Sequence, residues 1–241
     1  MTDIAPIRLL QLYPNDMNIY GDWGNTLVVM KRLERRGYTV ELLSYNPGDT
    51  FPANIDLIVG GGGQDSGQAR IEEDLHKIAP QLKAMAEDSV PMLLICGLYQ
   101  LFGHYFQTRE GRRIDGIGVL DVTTLGGNER LIGNIVTTSA EFGEIIGYEN
   151  HSGLTTLGSG AKPFGKILKG AGNNGKDESE GARYKNVIGT YLHGSLLPKN
   201  PKVADFLIHH ALVRKFGSID IEMLDDQLAD DARRIALKRP R

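Results

Sequence analysis

The stretch Pro91-Met92-Leu93-Leu94-Ile95 is apolar at every position and runs directly into Cys96, Gly97 and a helical pattern over residues 98–105. A strand without polar alternation has both faces covered, which places it in a parallel sheet flanked by helices. The preceding sequence repeats the theme. Residues 7–13, 39–44 and 55–59 read as strands, 25–36 as a helix stopped at Gly37, and 66–87 as a helix broken at Pro80. Alternating strands and helices predict an α/β fold with a mostly parallel central sheet.

Beyond residue 115 the pattern changes. Residues 116–125, 131–139 and 142–148 are short β-like segments joined by glycine turns, which predicts additional antiparallel strands. Residues 170–181, GAGNNGKDESEG, read as a polar surface loop, 186–192 as a strand, and 201–216 and 219–237 as two terminal helices. With no repeat and no linker in 241 residues, the expectation is a single domain over 1–241 with its terminal helices at about 201–241.

Composition removes whole classes of function. Lys plus Arg number 27 against 30 Asp plus Glu, a net charge of −3, so the basic excess of a nucleic-acid binder is lacking. Apolar runs stay far below the roughly 20 residues that span a bilayer, and the first twenty residues hold no signal-peptide core. The single cysteine forms no internal disulfide. These features predict a cytoplasmic protein without a membrane span.

Cys96 is then a candidate nucleophile. A strand-to-helix turn lifts its thiol above the sheet, and Gly97 leaves backbone amides free to face an oxyanion. A cysteine at a strand end is more often a buried structural thiol, so the reading depends on its neighbours. Of the six histidines, His76, His209 and His210 sit on charged or amphipathic helical stretches. His193 instead closes the run 187–192 and precedes Gly194, at the carboxyl edge of a strand, where open α/β sheets gather their active sites. The tetraglycine 60–63 follows the third strand, and bare backbone there can approach a substrate, so Gly61 or Gly62 is a candidate to complete the oxyanion hole begun at Gly97. Glu149 and His151 alternate along one strand face and are assigned to ordering the pocket. No metal site is expected.

The segments Leu94-Ile95-Cys96-Gly97-Leu98-Tyr99-Gln100, Gly147-Tyr148-Glu149-Asn150-His151-Ser152-Gly153 and Gly189-Thr190-Tyr191-Leu192-His193-Gly194 resemble, in order and spacing, the three motifs of cobyric-acid-synthase-type class I glutamine amidotransferases. The resemblance runs from residue 7 to about 216 and implies a flavodoxin-like fold. It implies Cys96 as nucleophile, His193 as general acid and base, and Arg130, in Gly127-Asn128-Glu129-Arg130, as the residue that binds glutamine.

Three positions depart from the pattern. Leu94 and Leu98 stand where the family has glycine, implying a less open turn, and Ser195 stands where triad members carry glutamate two residues after the histidine. Either a dyad suffices or the acid comes from elsewhere, including another chain; a carboxylate of a partner is the expectation. The cobyric and cobyrinic acid enzymes also carry an ATP-using domain. Here residues 160–166 and 170–176 match only the first seven positions of a phosphate loop, and Ile167 and Asp177 replace the Ser or Thr that would hold magnesium.

A free-standing amidotransferase of this length, with Gly60-Gly61-Gly62-Gly63-Gln64-Asp65 after its third strand, resembles the glutaminase subunits of lipid II isoglutaminyl synthases. That resemblance implies a heterodimer with a Mur-ligase-like subunit of the MurT type, which binds lipid II, ATP and Mg, and no cofactor in this chain. Ammonia from glutamine would amidate the D-glutamate α-carboxyl of the lipid II stem peptide to D-isoglutamine. A cobyrinate-type amidotransferase subunit, a cysteine hydrolase of the same topology and a non-catalytic scaffold subunit are the alternatives.

Overall fold

The structure, a computed structural model, describes residues 5–238; residues 1–4 and 239–241, the two ends of the expected single domain, lie outside the described residues. The main sheet contains β1 (Ile7–Leu12), β2 (Val40–Tyr45), β3 (Leu57–Gly60), β4 (Met92–Ile95) and two later strands, Ala182–Tyr184 and Val187–Thr190. With intervening strands counted, the last two are β11 and β12, and the order across the sheet is β11-β12-β4-β3-β1-β2. All neighbours are parallel except the edge pair β11 and β12. Every residue of β3, β4 and β12 is buried, as unalternating apolar runs require.

Helices α1 (Trp23–Arg35) and α4 (Pro201–Phe216) pack together on one face of this sheet. Helix α2 (Asp65–Glu87) connects β3 to β4 in the opposite direction across the sheet, and a right-handed crossover puts it on the other face. It runs unbroken through Pro80, contrary to the expected break. Ile78 and Leu82 on either side are buried against the core, and this packing outweighs the one hydrogen bond that proline removes.

Helix α3 (Gly97–Leu101) is also shorter than its sequence pattern. It ends at the C-cap Phe102, and the chain then passes so close to Val122 that a Cβ at Gly103 would lie 2.6 Å from the Val122 side chain and 2.7 Å from its carbonyl. The chain re-extends at once as β5 (Tyr105–Gln107) and β6 (Arg113–Asp115). The glycine-punctuated region then forms two long strands rather than three short ones, β7 (Val122–Ser139) and β8 (Gly143–Leu157). They pair antiparallel with a register shift between Gly126 and Leu131. With β9 (Gly165–Lys169) and β10 (Ser179–Glu180) they complete a second sheet, in which only β5 and β7 are parallel.

The segment 170–181 is only in part the surface loop that its polarity suggests: Gly175 to Glu178 are exposed, while its two ends turn inward. Asn173 and Glu180 are wholly buried, and the Asn173 amide donates to the Gly181 carbonyl and the Ser179 hydroxyl. The last helix, α5 (Gln227–Lys238), begins eight residues later than expected, after irregular chain.

No helix among the described residues is long and apolar enough to cross a membrane. The strand order 2-1-3-4 is that of doubly wound flavodoxin-like sheets, with its switch point between β1 and β3. The carboxyl ends of β1, β3, β4 and β12, which run parallel, lie along one edge of this sheet.

Candidate active site

Cys96 caps β4 and opens α3 with φ 49° and ψ −102°, a conformation that costs a non-glycine residue roughly 1–3 kcal/mol. Two bonds hold it: the Cys96 N–H donates to the Thr190 carbonyl at 2.8 Å, and the Gln100 N–H donates to the Cys96 carbonyl at 3.0 Å. Leu94 and Leu98, which replace the family's glycines, are fully buried beneath the turn. Leu98 fills the space left by the missing side chain of Gly60, so neither leucine closes the mouth above the thiol.

His193 reaches the same point from β12. Its backbone N–H donates to the Tyr148 carbonyl at 2.8 Å, tying the end of this strand to β8, and its side chain is fully buried. Its Nδ1 lies 3.4 Å from the carboxylate of Asp22, which is 2% exposed on the loop after β1. A Cβ at Gly62 would stand 2.7 Å from His193 Cε1 and 3.2 Å from Cys96 Cβ, so thiol and imidazole converge over bare glycine backbone. Burial alone would lower the pKa of His193; the negative charges of Cys96 and Asp22 overcome it and hold the imidazolium up to about 10.

The oxyanion side differs from its sequence reading in one respect. The Gly62 N–H is committed to Asp22 Oδ2 at 2.7 Å, so Gly62 supplies room rather than a free donor. The next amide is the candidate donor instead. A Cβ at Gly97 would come within 3.0 Å of the Gly63 nitrogen, and the Gly63 and Gly97 N–H groups carry no hydrogen bond among the described residues.

Glu149 and His151 both point inward from β8, as strand alternation predicts, and stand behind the dyad. The Glu149 carboxylate accepts the Ala171 and Gly172 N–H groups at 2.8 Å each and fixes the buried turn of segment 170–181. The His151 imidazole stacks on Tyr191 and bonds the Gly153 carbonyl through Nδ1 at 2.8 Å. Burial lowers its pKa to about 4, so it is neutral.

Arg130 lies in the irregular stretch of β7, exposed, with Nε donating to Asn150 Oδ1 at 2.6 Å and its charge felt at His151. His76 and His104 bond the Asp115 carbonyl and the Asp121 carboxylate, away from the dyad. No group of His, Cys, Asp and Glu among the described residues is arranged to hold a metal ion.

Sequence reasoning missed two parts of the site. One is the loop after β1, which supplies Asp22 and Tyr20, whose ring meets His193 edge-on at 5.1 Å. Its position after the first strand was the available signal, since that strand ends at the switch point. The other is a buried polar chain beneath the elbow. Gln68 donates to the Gly97 carbonyl at 3.1 Å and to Gln100 Oε1 at 2.7 Å; Gln100 donates to the Tyr191 hydroxyl at 3.0 Å, which lies 2.6 Å from Thr155 Oγ1. It ties the nucleophile turn to the second sheet.

The geometry has counterparts among known proteins. The CobB/CobQ-like glutamine amidotransferase domain matches residues 8–201. The chain is 38% identical to the lipid II isoglutaminyl synthase (glutamine-hydrolyzing) subunit GatD of Staphylococcus aureus, over 97% of this chain and 96% of that one. It is also 38% identical to the subunit of the same name from Streptococcus pneumoniae, over 93% and 88%. Cobyric acid synthase of Brucella anthropi is 31% identical over 64% of this chain but only 32% of its own length. PurLQS from Thermotoga maritima shares the fold with TM-score 0.60 at 17% identity, covering 86% of this chain and 99% of that one. By its matched domain, its full-length relatives and the cysteine–histidine pair at the carboxyl edge of its parallel sheet, the chain belongs to the CobB/CobQ-like glutamine amidotransferase family.

Proposed function

We propose that the chain is the glutaminase subunit of a lipid II isoglutaminyl synthase. The observation that carries this reading is the convergence of Cys96 and His193 over Gly62 in a chain that aligns end to end with two subunits of that name. The Cys96 thiolate attacks the side-chain amide carbon of glutamine, whose α-substituents Arg130 binds. The Gly63 and Gly97 N–H groups receive the oxyanion. The His193 imidazolium gives its proton to the leaving ammonia, forming a glutamyl thioester. Neutral His193 then takes a proton from water, which attacks the thioester and releases glutamate.

Ammonia passes to a Mur-ligase-like partner of the MurT type. There ATP and Mg activate the D-glutamate α-carboxyl of the lipid II stem peptide, and amidation gives D-isoglutamine. The partner supplies the synthetase half because residues 160–167 and 170–177 of this chain lack the hydroxyl that a phosphate loop places on magnesium. The test is reconstitution with such a partner, ATP, Mg, glutamine and lipid II, followed by mass spectrometry of the stem peptide. Glutamine-dependent amidation that Cys96→Ala abolishes and free ammonia restores is the expected result. Amidation of a corrinoid acid instead of lipid II, or full glutamine-dependent activity in Cys96→Ala, would overturn it.

A further inference from the structure

We propose that Glu180 is a positioning residue for Cys96: its buried carboxyl holds one end of the Thr190–Tyr191 peptide, and the other end of that peptide holds the nucleophile in its strained conformation. This role rests on the glutaminase reading above and deepens it.

Cys96 keeps φ 49° and ψ −102° only while its surroundings impose them. The bond from outside its own turn is the one its N–H makes to the Thr190 carbonyl at 2.8 Å. A peptide unit is planar and trans, so its C=O and N–H point in opposite directions, and fixing one fixes the other. The N–H of that same unit belongs to Tyr191, and it donates to Glu180 Oε1 at 2.9 Å. The Thr190 hydroxyl donates to the same oxygen and accepts the Leu192 N–H at 3.1 Å. One carboxyl oxygen therefore sets the backbone from Thr190 to Leu192. Its hydrogen bonds go to Thr190 and Tyr191, not to the imidazole.

Glu180 is itself held. The Gly181 N–H donates to Asn173 Oδ1 at 3.0 Å, and a Cβ at Gly181 would lie 2.4 Å from the Gly189 carbonyl, so only glycine lets this segment lie so close to β12. Asn173 Oδ1 also accepts the hydroxyl of Tyr99, on the helix that Cys96 opens, at 3.1 Å. The segment 170–181 thus supports both arms of the elbow, the helix through Asn173 and the strand peptide through Glu180.

The carboxyl does this as a neutral acid. It is wholly buried, its Oε2 has no hydrogen-bond partner among the described residues, and burial pushes its pKa up to about 8. The ionisable groups facing it are Glu149 from β8, Tyr99 from α3 and His193 at the end of β12. Glu149 opposes its ionisation, and His193 favours it without reversing the effect of burial. Once ionised, the carboxylate is relieved only by water, and admitting water parts β10 from the Thr190–Tyr191 peptide. The nucleophile turn then loses its support. Glutamine hydrolysis should therefore have an alkaline limit near pH 8, below the value of about 10 at which His193 gives up its proton.

NMR of the full chain tests the clamp without glutamine. The Glu180 carboxyl carbon and the Tyr191 amide should titrate with one shared midpoint near pH 8, and the Tyr191 amide should lack that midpoint in Glu180→Gln. In Glu180→Ala, which keeps no acceptor, the Tyr191 and Cys96 amides should exchange with solvent at least about tenfold faster. Kinetics with the partner subunit present tests the consequence. Glu180→Ala should lower glutaminase kcat at least about tenfold at pH 7 and leave KM for glutamine within about twofold, because placement of the nucleophile is lost and binding is not. Glu180→Gln should restore most of that kcat and remove the alkaline limit near pH 8. Thermal unfolding of each variant establishes that it is folded. Separate midpoints for Glu180 and Tyr191, or a Tyr191 midpoint retained in Glu180→Gln, overturns the clamp. Native kcat and pH profile in folded Glu180→Ala overturns the positioning role. Absence of glutamine turnover in the native complex would overturn the glutaminase reading instead, and the NMR titration would still decide the clamp.

Discussion

The His151 imidazole lies flat on the phenol ring of Tyr191, with centroids 3.6 Å apart and planes within 5° of parallel. The stack joins β8 of the second sheet to the chain that ends in His193, in surroundings that exclude water from the imidazole. Burial lowers the His151 pKa from 6.5 to about 4. Between these values the unfolded chain binds the extra proton and the folded one does not, so stability is lost as pH falls through this window. His151→Phe preserves the ring contact without the titration. Urea denaturation near pH 4.5 and pH 7.5 should show a smaller loss on acidification in the variant than in the native chain.

Glu180 titrates with the opposite consequence. Its carboxyl is wholly buried and accepts the Thr190 hydroxyl and, at 2.9 Å, the Tyr191 N–H. Desolvation, the largest effect, carries its pKa from 4.5 to about 8 against those two bonds. Between these values the folded state holds the proton that the unfolded state has lost, so stability falls as pH rises, by up to about 1.4 kcal/mol per pH unit. Glu180→Gln keeps an acceptor oxygen and removes the charge. Its denaturation midpoint should vary less than that of the native chain between pH 5 and pH 8.

Gly62 leaves no space for even one carbon between imidazole and thiol. Gly62→Ala should displace His193 and reduce glutaminase kcat at least about 100-fold. The overpacking should destabilise the fold by about 1–3 kcal/mol. Steady-state kinetics with thermal unfolding of the same sample checks both.

Arg130 stands outside the dyad, so its removal should act on glutamine binding more than on chemistry. Arg130→Ala should raise KM for glutamine about tenfold or more while changing kcat much less, because an ion pair to the substrate is made before and throughout the reaction. A kcat loss with unchanged KM, measured in the same assay, would place Arg130 elsewhere in the mechanism.

Local pattern and tertiary packing divide the protein cleanly. Residues 91–95 already state a buried parallel strand, and Cys96-Gly97 at its end states a turn into a helix, because apolar periodicity and glycine act over a few neighbouring residues. His193 is legible for the same reason, as the last residue of an apolar run. Helix α2 was legible except at Pro80, where the local rule is overruled by buried Ile78 and Leu82. The polarity of segment 170–181 pointed outward, as residues 175–178 do, yet Glu149, more than twenty residues upstream, supplies a carboxylate that holds the backbone of Ala171 and Gly172 inside.

The sequence by itself determined the α/β alternation, the candidate nucleophile and its candidate histidine, and the family they mark. Only the tertiary structure decided which carboxylate lies against that histidine, that the Gly62 N–H is committed to the same carboxylate, and what Ser195 holds where glutamate is usual. Asp22 lies 171 residues before His193; the place of its loop after the first strand marks the region, but nothing near it in the chain says that its carboxylate meets the imidazole. The contact exists because β1 and β12 belong to one sheet, whose topology brings the loop after the first strand over the end of the last. A carboxylate acquires its function from the groups that surround it in space, which no local run of residues specifies.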